Sequence, residues 1–193
     1  MSHLSIASPK GGVGKTMLAL QLAAAFSKAG LRVNLIDHDP QGSALVFGKI
    51  AQKAGRILPF ALTNAQTAGF DLYLHDHAPG VVERYPSEVL VMPVVLDAPS
   101  GSIHRRGKTL LAERGYATLE VVSRFRSDRA EPRKVLAAHY AGCPVIRERT
   151  LYSNLYGRGL TVFDAPGVPY LDRAQEEIVA VRKAVERLLG EMS

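Results

Sequence analysis

The sequence holds a single cysteine, Cys143, among its 193 residues. One thiol excludes an internal disulfide and any cluster held by several thiolates. The run Ala141-Gly142-Cys143-Pro144-Val145 reads as a small buried residue near a strand start, and such sparse cysteine usage fits a reducing compartment. Long apolar runs are missing too: no stretch approaches the roughly 18 residues a membrane span needs. The first ten residues contain no charged segment followed by an apolar run, so no secretory leader is expected. These absences together predict a soluble, cytoplasmic chain with no membrane attachment. Internal repeats, low-complexity tracts and Ser/Gly linkers are also lacking, which predicts one domain over residues 1–193.

What is present is ordinary for a globular protein. Hydrophobic residues make up 47% and charged residues 22% of the chain, neither a disordered nor a coiled-coil composition. A chain of this length buries roughly 70% of its unfolded surface and needs no covalent or metal staple. Lys and Arg number 24 against 18 Asp and Glu, a formal net charge of +6, and most of the arginines lie beyond residue 100. A basic half beside a near-neutral one suits a polyanionic partner. An arginine-rich solvated surface accounts for the composition equally well.

Short apolar runs alternate with helical stretches. Strands are expected at Leu4–Ala7, Val33–Asp37, Phe70–Asp76, Val89–Val95 and Leu119–Ser123. Helices are expected at about Lys15–Ala29, Ser43–Ala54, Ile103–Arg114, Glu131–Tyr140 and Leu171–Leu189, with Gly30 closing the first. In the last helix, Ile178, Val181, Val185 and Leu188 form a stripe for packing on a sheet. Its glutamates argue against a membrane-surface helix. The alternation predicts an α/β fold of three layers, a mostly parallel twisted sheet with helices on both faces.

Between the first strand and first helix stands Pro9-Lys10-Gly11-Gly12-Val13-Gly14-Lys15-Thr16. Glycines let successive amides turn inward onto phosphate oxygens, and the helix N-terminus adds its positive end. A lysine and a hydroxyl at the helix start suit the β- and γ-phosphates and Mg2+, respectively. Proline replaces the first glycine of the commonest phosphate loop. A simple flexible turn would leave Lys15 and Thr16 unexplained.

The second lysine, Lys10, five residues before Lys15, makes this loop similar to that of the ParA/MinD family of deviant Walker A ATPases. Two further segments carry the resemblance: Asp37-His38-Asp39-Pro40-Gln41-Gly42 after the second strand, and Asp76-His77-Ala78-Pro79-Gly80 after the strand beginning at Phe70. The resemblance implies a P-loop fold and ATP and Mg2+ as cofactors. Nucleotide contacts would come from Lys10, Gly11, Gly12, Val13, Gly14, Lys15, Thr16 and Met17, with Pro166 on the adenine side. It further implies that Lys10 reaches the nucleotide of a second subunit, making ATP the glue of a homodimer. Asp39 would position the attacking water, while Thr16, Asp37 and Asp76 would support the metal. Pro79-Gly80 would open a loop that senses the γ-phosphate.

Several positions depart from the family pattern. Met17 stands where a threonine is common. Ser123 stands where an asparagine usually faces adenine. His75 and His77 flank Asp76; with His38 they could be read as a metal set, but no ligand spacing supports that and Mg2+ prefers oxygen. The expectation is that His75 and His77 tune hydrolysis or its pH dependence, because imidazole titrates near neutrality.

The resemblance also implies partners: nonspecific double-stranded DNA and a centromere-binding, ParB-like adaptor protein. Only nine residues precede Lys10, so no helix-turn-helix stands there and DNA contact is expected through the phosphate backbone. Arg147, Arg149, Arg158 and Arg173 are the candidates. The function implied is a dimerising ATPase that partitions a plasmid or chromosome and associates with the nucleoid when ATP-bound. A MinD-like or protein-cargo positioning ATPase is the alternative. Electron-transferring relatives need paired cysteines, and kinase relatives need a terminal tyrosine cluster; neither is present.

Overall fold

The computed structural model describes residues 1–165 and 167–191, apart from the side chains of residues 98–100. Seven strands form one sheet: β1 (Ser2–Ile6), β2 (Val33–Asp37), β3 (Ala61–Thr63), β4 (Leu72–Asp76), β5 (Val89–Val94), β6 (Ala117–Phe125) and β7 (Val145–Arg147). They lie in the order β3-β2-β4-β1-β5-β6-β7, and every pairing is parallel. Strands covered on both faces need continuous apolar runs rather than alternation. Accordingly β2, β4 and β5 are buried at every position.

The described residues form six helices: α1 (Lys15–Lys28), α2 (Ser43–Lys53), α3 (Ala98–Glu113) and α4 (Ala130–His139) between strands, and α5 (Thr150–Tyr156) and α6 (Leu171–Glu191) after β7. One face of the sheet carries α1, α2, α5 and α6. There Leu4, Ile6, Leu35 and Leu74 pack with Leu18, Leu22, Phe26, Phe47, Leu155 and the α6 stripe of Ile178, Val181 and Val185. The other face carries α3 through Leu111 against Leu90 and Met92, and α4 through Leu136 against Val94 and Val122. Under β2, β4 and β1 this second face is covered by irregular chain: Thr67 caps Asn34 and Tyr73, and Tyr85 packs on His77.

The chain leaves central β1 for β2 on one side and later crosses from β4 to β5 on the other. Such a reversal opens a crevice beyond the carboxyl ends of the strands. Register places Ile6 beside Asp76 and Asp37 beside Asp76 across the three strands that end there. The loops after β1, β2 and β4 are stitched together by backbone bonds: His38 N–H to Asp76 O, His77 N–H to Ile6 O and Gly80 N–H to Ser8 O.

Gly30 takes φ 98 after α1, with Leu31 N–H bonding Phe26 O, as a helix-closing glycine should. Three elements go beyond the sequence expectation: edge strands β3 and β7, and α5. Helix α3 starts at Ala98, five residues before the expected Ile103, and β6 extends further at both ends than the expected strand. Cys143 is half-buried rather than buried, two residues before β7. Among the described residues no helix is long and apolar enough to cross a membrane.

Candidate nucleotide-binding site

The glycine loop lies where the fold opens its crevice. Gly12 and Gly14 adopt φ 73 and 89, conformations a side chain resists. A Cβ on Gly14 would also stand 3.1 Å from the Ser123 hydroxyl. Gly14 is the N-cap of α1 and offers no side-chain cap, and the first helical bond runs from Leu18 N–H to Gly14 O. The amides of Lys15, Thr16 and Met17 therefore have no acceptor within the helix, and the helix dipole adds to their positive potential. Such a row of free amides at a helix start is the backbone arrangement that suits an anion.

Lys15 is buried at 6% exposure, and its ammonium approaches the Lys10 carbonyl at 3.5 Å. Burial lowers its pKa, while Asp76 and Asp39 pull it back up. Asp76 is fully buried, and neither carboxylate oxygen has a hydrogen-bond partner among the described residues. Burial raises its pKa to about 7; the neighbouring Thr16 hydroxyl opposes the rise without reaching hydrogen-bond geometry, and Asp37 adds to it. An orphaned buried carboxylate is costly unless something charged sits against it. With Thr16 and Asp37 beside it, all the donors are oxygen, a set that suits Mg2+.

Asp37 and Asp39 differ in role. Asp37 accepts the Asp39 amide at 3.0 Å and the Leu45 amide at 3.1 Å, so it ties the β2–α2 loop to the first turn of α2. Asp39 accepts the Gln41 amide at 2.9 Å and is only partly buried on the Lys15 side of the loop.

A cavity of about 890 Å³ opens beside the loop. Gly14, Thr16 and Met17 border it, as do Leu20, Phe47, Tyr152 and Tyr156, and its charged rim includes Arg124, Arg126, Asp128 and Glu148. Phosphates seated on the loop would direct a nucleoside into this space. Ser123 does not reach the cavity: it is fully buried beneath Gly14, its hydroxyl without a partner among the described residues. The adjacent Arg124 lines the cavity instead. Pro166, expected on the adenine side, lies outside the described residues.

Lys10 forms an ion pair with Asp97 at 3.3 Å, a contact that no motif foretold. Pro9 packs onto α3 at Gly107, where a Cβ would stand 2.8 Å from the proline ring. At the far end of α3, Arg114 bonds the Val82 and Glu83 carbonyls.

The histidines form a stacked row: His3 bonds His75 at 3.1 Å, His75 bonds His38 at 2.9 Å, and His38 lies parallel to His77 at 4.8 Å. The row gives no common point for a metal, and among the described residues no group of three suitable ligands occurs. Burial holds His75 down to about 3 and His77 to about 4, with neighbouring imidazoles adding to the effect. Both are neutral near pH 7, so the expected near-neutral titration at these two positions does not hold.

Arg149 requires a second correction. Its side chain is 13% exposed and locked onto Glu177 of α6, so it presents no charge to a surface ligand. Arg147 also bonds Glu177, at 2.8 Å, but remains half-exposed; Arg158 and Arg173 are exposed. Arg147 and Arg149 line the cavity beside Gly14, Thr16 and Met17, whereas Arg158 and Arg173 lie outside it.

The model of the CobQ/CobB/MinD/ParA nucleotide binding domain matches residues 4–162. The chromosome-partitioning ATPase Soj of Thermus thermophilus is 54% identical over 42 residues, 22% of this chain and 17% of that protein. The chain thus matches less than a fifth of that relative's length. A plasmid partition protein from Borrelia burgdorferi bound to AMPPNP superposes with TM-score 0.73 at 16% identity, covering 93% of this chain and 97% of that one. MinD from Pyrococcus horikoshii complexed with Mg-ADP gives TM-score 0.70 at 18% identity, covering 100% and 98%.

Proposed function

The chain belongs to the CobQ/CobB/MinD/ParA nucleotide-binding domain family, and from that premise we propose that it is an ATP-dependent, dimerising ATPase that partitions DNA. The observation that carries the ATPase reading is Asp76, a buried carboxylate without a hydrogen-bond partner among the described residues, at the foot of the glycine loop and facing Lys15 and Thr16. The amides of residues 11–17 and the Lys15 ammonium hold the triphosphate. Thr16 and Asp76 hold Mg2+, with Asp37 behind them fixing the loop. The metal, when bound, neutralises phosphate charge. Asp39 orients the attacking water, and Lys10 leaves Asp97 to reach the nucleotide of a second subunit.

The dimer binds double-stranded DNA without sequence preference through Arg147, Arg158 and Arg173, and a centromere-binding, ParB-like adaptor stimulates hydrolysis. Residues 1–193 act as one domain, in the cytoplasm and on the nucleoid when ATP-bound. Support for the DNA-partition reading comes from the basic second half and the likeness to Soj and to the Borrelia partition protein. The test is anisotropy of a random-sequence duplex with ATP–Mg2+, ADP or no nucleotide, for wild type and Lys10→Ala. Tight, salt-sensitive binding with ATP alone, lost in Lys10→Ala, is the expected result. ATP turnover without DNA binding in any state removes the DNA reading and favours a MinD-like or protein-cargo role.

A further inference from the structure

Strand β6 breaks its pairing with β7 at one point. Val122 stands opposite Val145 and Phe125 opposite Arg147, so one extra residue is inserted on the β6 side. That bulge contains Arg124 at φ 53; among the described residues only Tyr170 shares a positive φ without being glycine. Such backbone is unfavourable for a residue with a side chain and persists where surrounding structure requires it.

The bulge has a definite effect on direction. Val122 and Phe125 both pack under α4, so the two-residue alternation is broken between them. Arg124 is thereby turned to the loop side of the sheet, where it borders the cavity. Its Nη1 donates to the Gly12 carbonyl at 3.1 Å, and its Nη2 and Nε donate to Glu148 Oε1 at 2.8 and 3.2 Å. One planar group thus bridges the phosphate loop and the turn after β7, the two walls between which a nucleoside would lie. A half-exposed ion pair contributes little to stability and does not account for strained backbone.

We propose that Arg124 is the base-positioning residue of this site. Its guanidinium plane stacks on the purine of the nucleotide held by the glycine loop, and Glu148 fixes the plane. The proposal rests on the nucleotide-binding reading above. A guanidinium offers a flat, weakly hydrated cation suited to an aromatic ring, which a lysine ammonium cannot reproduce.

The experiment is calorimetric titration of AMPPNP–Mg2+ and of tripolyphosphate–Mg2+ into wild type, Arg124→Gly, Arg124→Lys and Glu148→Gln. Glycine adopts φ 53 without strain, so the first variant removes the guanidinium while sparing the backbone. Arg124→Gly is expected to weaken AMPPNP about tenfold and leave tripolyphosphate unchanged. Arg124→Lys should fail to restore affinity, and Glu148→Gln should weaken AMPPNP by a smaller factor. Equal loss for both ligands with rescue by lysine would make Arg124 a phosphate contact and overturn the proposal. Unchanged AMPPNP affinity in Arg124→Gly also overturns it. A wild type that binds neither ligand refutes the nucleotide-binding reading itself, a different outcome from either.

Discussion

Replacing Asp76 by asparagine should stabilise the nucleotide-free protein, against the usual result of a core substitution. The carboxyl is fully buried, its oxygens have no hydrogen-bond partner among the described residues, and burial lifts its pKa from 3.8 to about 7. Between those values the unfolded chain has lost this proton while the folded chain keeps it. Stability therefore falls as pH rises through that window, and the full penalty is present above pH 7. Three pKa units at ~1.4 kcal/mol each set the penalty at about 4 kcal/mol. Asparagine recovers only part of it. Its amide is also buried without a partner, and buried Lys15 loses a charge that now supports it. A net gain of about 2 kcal/mol at pH 8 corresponds to a melting point higher by roughly 4–8 °C. Differential scanning calorimetry of both proteins at pH 5 and pH 8, without nucleotide or metal, measures it. The gap should narrow at pH 5, where the wild-type carboxyl is protonated. A variant that melts below wild type at pH 8, or a gap that does not change with pH, refutes the reasoning.

Other substitutions probe the frame around the site. Gly159 has φ 62, and a Cβ there would stand 2.5 Å from the Ala51 backbone; Gly159→Ala should cost at least about 3 kcal/mol in urea denaturation. His75 and His77 keep depressed pKa values of about 3 and about 4 against 6.5 unfolded. Their contribution is thus complete above pH 6.5 and is lost as pH falls towards 4. In an Asp76→Asn background, which removes the opposing carboxyl, the urea midpoint should drop between pH 7 and pH 5; a flat profile contradicts the placement. Glu177 binds Arg147 and Arg149 together. Glu177→Gln should cost about 2 kcal/mol by leaving the buried Arg149 cation poorly paired, and a thermal melt checks it.

The elements around the glycine loop were legible because each is dictated locally. Residues 10–16 need glycine for backbone reasons, α1 is a run of Ala and Leu, and β2 and β4 are apolar segments ending in Asp37 and Asp76. Edge strands β3 and β7 have three residues each, too few for a period to show. Helix α3 begins in a segment containing Pro99 and Gly101, residues whose low helix propensity hid its start. The turn of Arg124 toward the loop depends on a bulge in the β6–β7 pairing, which only the partner strand can specify. Likewise the Arg149–Glu177 pair joins residues 28 apart that share no motif. Chain-local chemistry thus announced the glycine loop and its carboxylates, and long-range pairing set the cavity wall around Arg124.

Helix α3 is seated so closely on Pro9 that residue 107 has room for no side chain, and its last turn is followed by Arg114, fastened to the carbonyls of residues 82 and 83. Residues 107 and 114 lie about 10 Å apart along the helix axis. The end of α3 therefore fastens the glycine loop and the segment that follows β4 to one stiff rod, beside the direct bond from Gly80 N–H to Ser8 O. A shift of one of these segments carries the other with it.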